Sequence, residues 1–186
     1  MPGSKPASAP DPRSDALAHA APGASTFSRG FVFDWYDGPV AGLVEREPGG
    51  PVFAFRMAAW DERQKQRIYV LQPVPAEAFD EAVRASRPAG GPVWPWWGPA
   101  IFPTDEDRER SFQTADRILR QAGPVEYVVE TEDDLSGSVR LIHPVRNGAD
   151  RERIESMLAG AESGEELEAS DYPFDEWVAA LRSMGS

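Results

Sequence analysis

The chain of 186 residues carries a formal net charge of −12, a mean hydropathy of −0.47 and no cysteine. These values exclude a disulfide framework, a thiolate nucleophile and cysteine-based metal centres, and no apolar run is long enough for a membrane-spanning helix. With 41% apolar and 10% aromatic residues the chain is expected to fold around a core rather than stay disordered.

In chain order, residues 1–28 are Pro, Ala, Ser, Gly and Asp with few large apolar side chains, and read as a disordered tail. No apolar segment of signal-peptide length follows Lys5 and Arg13, so the cytoplasm is the expected compartment. From Phe31 to Tyr36, Phe31, Phe33 and Trp35 alternate with Val32, Asp34 and Tyr36, the period of a strand. Asp37-Gly38-Pro39 predicts a turn, Val40 to Arg46 a second strand, and Glu47 to Pro51 a hairpin into a third, Val52 to Trp60. Arg67 to Val74 alternates again as a fourth.

The period then changes. Phe79, Ala82 and Val83 predict a short helix over 76–86, and a second helix starts at Thr104, whose stripe is expected to be Phe112, Ala115, Ile118 and Leu119. Between them lies 87–103, where recurrent prolines among tryptophans predict an extended loop. Val125 to Glu130 and Ser138 to Val145 read as strands joined by an acidic turn at Asp133 and Asp134. Helices near 150–158 and after Asp171 complete the chain, the last with Phe174, Trp177, Val178 and Leu181 on one face. The expected fold is α+β: one domain over 29–186, an antiparallel sheet of about six strands beginning as a four-strand meander, packed by about four helices.

Charge is distributed unevenly. Residues 1–100 hold 11 acids and 10 bases, whereas 101–186 hold 20 acids and 9 bases. A field of that sign repels phosphate backbones, which argues against direct nucleic-acid binding, and attracts basic proteins. Its densest stretch contains Glu165, Glu166 and Glu168, a docking surface for a basic partner or a solvated loop. The EF-hand order of carboxylates is absent there, so neither a metal nor another cofactor is expected.

The segment FDWYDGPVAG, Phe33 to Gly42, resembles an aromatic Asp-Gly-Pro segment found in uncharacterised bacterial proteins, and that resemblance brings no activity or ligand with it. Hairpin geometry accounts for Asp37, Gly38 and Pro39. The functional alternative gathers Asp34, Tyr36, Arg56 and Arg67 into a polar patch across the sheet, with Asp34 and Glu45 as a conceivable acid–base pair. Trp94, Trp96 and Trp97 form either a rigid aromatic binding platform or a cover for one face of the sheet. His143, the one histidine after the tail, reads as a packing or surface residue. No P-loop, dinucleotide fingerprint, GxSxG or HExxH string occurs. Two functions follow as expectations: a non-enzymatic interaction protein for a basic partner, such as a toxin-neutralising immunity protein, or a small-ligand-binding protein or unfamiliar enzyme built on the polar patch beside the tryptophans.

Overall fold

The computed structural model describes residues 27–35, 38–85, 104–161 and 173–184. Six strands, β1 (Arg29–Trp35), β2 (Pro39–Glu45), β3 (Val52–Asp61), β4 (Gln66–Pro73), β5 (Tyr127–Glu132) and β6 (Ser138–Pro144), form one antiparallel sheet in the order β1-β2-β3-β4-β5-β6. Four helices accompany it among the described residues: α1 (Ala78–Ala85), α2 (Asp105–Arg120), α3 (Gly148–Ala161) and α4 (Phe174–Met184). The arrangement is the expected α+β fold with an N-terminal meander.

Alternation along the strands divides the apolar side chains between two faces. One face carries the helices. There Phe31, Phe33, Leu43, Val52 and Ala54 pack with Phe79 and Ala82 of α1 and Ala115 and Ile118 of α2. Farther along the same face, Ala58, Ala59, Ile68, Val70 and Val128 pack with Ile154 and Leu158 of α3 and Trp177 and Leu181 of α4. Each large side chain fully withdrawn from water here stabilises the fold by roughly 1.5–3 kcal/mol.

The opposite face is aromatic: Phe53, Phe55, Trp60, Tyr69 and Tyr127 form one cluster with Val44, Leu71 and Val129. Phe53 of β3 meets Tyr127 of β5 edge to face at 5.7 Å. The Tyr69 hydroxyl of β4 donates to the Pro39 carbonyl of β2 at 3.0 Å, reaching across β3. Contacts between strands that are not neighbours require the sheet to curl toward this face, which makes it the concave one. Bulges assist the bend. In β3 the register slips between Met57 and Ala59, so Phe53, Phe55 and Met57 share the concave face with Trp60 rather than with Ala59.

Backbone bonds bring β5 beside β4 after the long excursion through α1 and α2. The Gly123 amide donates to the Pro73 carbonyl at 2.8 Å and the Glu126 amide to the Leu71 carbonyl at 3.0 Å. Helix α2 begins as expected at Thr104, whose hydroxyl oxygen accepts from the Asp107 amide at 3.1 Å, with three carboxylates in the first turn. Its buried face keeps Ala115 and Ile118 of the expected stripe, with Leu119 packed partly against them, but departs from it at Phe112. Ser111, Thr114, Ala115 and Ile118 face the sheet, while Phe112 is 47% exposed. Positions 111, 114, 115 and 118 follow the helical repeat, and Phe112 falls about 100° around the axis from Ser111.

Candidate functional site

The β3–β4 hairpin contributes a cation held inside the fold. Arg67 stands opposite Trp60 in the β3–β4 register, on the concave face, and its guanidinium carbon lies 5.1 Å from the Trp60 ring centre. Only 5% of Arg67 is exposed. The guanidinium lies directly against Gly38, whose φ of +139° already favours glycine; a Cβ there would overlap it. Tyr69 completes the cradle: burial pushes its phenol well above the ordinary range, the Arg67 cation opposes that shift, and the Asp134 and Asp133 charges reinforce it.

Arg56 belongs elsewhere. It pairs with Ala41 of β2 and Val70 of β4, on the helix-bearing face, and sits half-buried in the seam between the α1–α2 and α3–α4 clusters. Burial lowers its pKa from the ordinary arginine value. Asp34 pairs with Ala41 from the other side and is exposed, so Asp34, Ala41 and Arg56 form one row across three strands.

The polar patch expected from the sequence therefore does not assemble as one site, because Arg56 and Arg67 occupy opposite faces of the sheet. Nor do Asp34 and Glu45 form an acid–base pair. Asp34 lies near one end of the β1–β2 ladder, and Glu45 lies at the other, opposite Arg29. Glu45 is fully engaged in structure: it binds Arg29 at 2.9 Å and accepts from the Gly49 amide at 2.8 Å. Arg29 in turn covers the Phe79 ring at 4.2 Å and reaches Asp80 at 3.5 Å, fastening α1 to the hairpin. Tyr36, Trp94, Trp96, Trp97, Glu165, Glu166 and Glu168 lie outside the described residues.

Carboxylates in the C-terminal half fall into two groups. On α2 four of five are neutralised locally: Asp105 pairs with Arg108, Glu106 and Asp107 with Arg110, and Asp116 with Arg120, while Glu109 accepts from Gln113. Arg117 binds Glu81 of α1. On α3 and α4, Glu152, Glu155, Asp175 and Glu176 are exposed and make no ion pair with a described residue. The two arginines of α3 bond other groups instead: the half-buried Arg151 donates to the Val125 carbonyl at 3.4 Å, and the exposed Arg153 to the Ser183 hydroxyl at 2.7 Å.

A cleft of about 440 Å³ opens where β6 ends, between the start of α3 and the end of α4. Ile142, His143 and Pro144 form its strand wall, Arg146, Asn147 and Asp150 its second wall, and Met184 its third. His143 is not a bare strand histidine. Its Nε2 lies 2.7 Å from a carboxylate oxygen of Glu130, diagonally across the β5–β6 ladder. Asn147 caps α3, accepting from the Asp150 amide at 2.9 Å and donating to Asp150 Oδ2 at 2.6 Å. Sequence reasoning missed this cleft because its walls come from three elements whose packing the sequence does not state; the strand spacing of Glu130 and His143 was the available signal.

Among the described residues no group of three or more His, Asp or Glu side chains is arranged to hold a metal, and no helix is long and apolar enough to cross a membrane. No family model, curated protein or solved structure matches the chain.

Proposed function

We propose that the chain is a non-enzymatic interaction protein of the cytoplasm that holds a basic protein through the side of the molecule formed by α3 and α4, as a toxin-neutralising immunity protein does. The observation that supports this reading is the uneven neutralisation of its acids. Four of the five carboxylates of α2 are paired with arginines one turn away, whereas the exposed Glu152, Glu155, Asp175 and Glu176 make no ion pair with a described residue. An unmatched acidic surface steers a basic partner and fixes its register, with a strength that falls as salt rises. The acidic stretch around Glu165, Glu166 and Glu168 lies between these two helices in the sequence and adds to the negative charge of this half of the chain.

The purified protein and two charge-neutralised variants test the proposal in capture experiments from cell extract, with bound proteins identified by mass spectrometry. One variant combines Glu152→Gln, Glu155→Gln, Asp175→Asn and Glu176→Gln; the other, Asp105→Asn and Asp116→Asn, removes acids that are already paired. The expected result is one basic protein retained at low salt by the wild type and the second variant, and released by high salt or by the first variant. Retention that ignores salt, or equal retention by both variants, overturns the proposal.

A further inference from the structure

The cleft at the end of β6 combines three chemistries within one small volume, and we infer that it binds an apolar α-amino acid as its zwitterion. Its size falls within the range of small-molecule sites. Arg146 supplies a permanent cation whose guanidinium makes no hydrogen bond or ion pair with another described residue, so its forked donors are available to a carboxylate. Asp150 supplies the opposite charge. Asn147 occupies its Oδ2, which leaves Oδ1 for an ammonium. Ile142, Pro144 and Met184 provide the apolar surface against which an aliphatic side chain is withdrawn from water.

His143 defines the remaining wall. In the tautomer whose Nε2 donates to Glu130, Nδ1 is an acceptor, a second place for an N–H of the ligand. A bare inorganic anion leaves Asp150 and the apolar wall unused, and a cation leaves Arg146 unused. The amino-acid zwitterion uses all of them. This inference does not depend on the proposed partner: the cleft is lined by none of Glu152, Glu155, Asp175 or Glu176.

Amide chemical shifts of the full chain titrated with L-leucine, leucinamide, N-acetyl-leucine and inorganic phosphate test it. L-leucine is expected to move the amides of His143, Asn147, Gly148 and Asp150. Leucinamide, lacking the carboxylate, and N-acetyl-leucine, lacking the ammonium, are each expected to bind about tenfold more weakly or worse, as the loss of a charged hydrogen bond implies. Arg146→Ala is expected to weaken leucine to the same degree, Arg146→Lys to restore part of the loss, and Arg63→Ala, in the β3–β4 turn, to change nothing. Unchanged spectra keep a folding failure of either variant from being mistaken for lost binding. The inference is overturned if leucine moves none of these amides, if phosphate or N-acetyl-leucine binds as well as leucine, or if Arg146→Ala binds like the wild type.

Discussion

Gly38 is the residue at which backbone geometry and side-chain packing constrain the chain together. Its φ of +139° is unfavourable for any L side chain, and a methyl group there collides with the Arg67 guanidinium. Gly49 offers the comparison, because its φ is +78° but nothing lies within 4 Å of the position a Cβ takes. Gly38→Ala is therefore expected to destabilise the protein by about 2 kcal/mol or more, and Gly49→Ala by about 1 kcal/mol, read from urea midpoints at constant slope. Equal effects remove the packing part of the explanation. Tyr69 gives a second test at this scale. Its phenol is held above the unfolded value of 10.0, so the stability it contributes is complete below that pH and is lost as pH rises through the folded value. Tyr69→Phe, which removes the bond to Pro39, is expected to cost about 1 kcal/mol at neutral pH. The gap between variant and wild type should narrow above pH 10.0; a gap that stays constant there contradicts the buried, neutral phenol.

Elements were legible where one physical rule decided them. Thr104 with three following carboxylates marks a helix start, and the structure has Thr104 accepting from the Asp107 amide. Thr104→Ala is expected to lower stability by about 1 kcal/mol and Thr104→Ser by much less, measured by thermal or urea unfolding. Strand alternation likewise located β1 and β4, and turn residues flanking β-rich runs located the other four strands. The face of α2 was not legible from hydrophobicity alone, because its inward residues include Ser111 and Thr114, small enough to approach the sheet but polar on any apolar scale. Phe112, Ala115 and Leu119 also obey helical spacing, so a count of apolar residues selects a stripe rotated from the true one. The same limit applied to the candidate site. Whether Arg56 and Arg67 share a face depends on the β3–β4 register and on the slip between Met57 and Ala59, neither of which leaves a mark in the local sequence. Glu130 and His143 meet because the β5–β6 turn sets their diagonal, a relation visible only after the hairpin is paired.

The whole molecule bears a charge of −12, and most of the excess lies after residue 100. Self-repulsion of that size opposes compaction and is screened by salt. The melting temperature is thus expected to rise as sodium chloride is raised from a few millimolar to near-physiological ionic strength; a fall would mean that the ion pairs of α2 outweigh the unmatched acids of α3 and α4. The strand order carries a kinetic consequence as well. Every pair in the sheet joins neighbours in the chain, but β4 and β5 meet only after residues 74–126 have closed into a loop. Closing that loop costs entropy that the first three pairings do not require. The meander β1–β4 can therefore assemble early and leave one unprotected edge waiting for β5. During synthesis that edge is the surface most exposed to mispairing with another chain, until the second half of the sequence arrives to cover it.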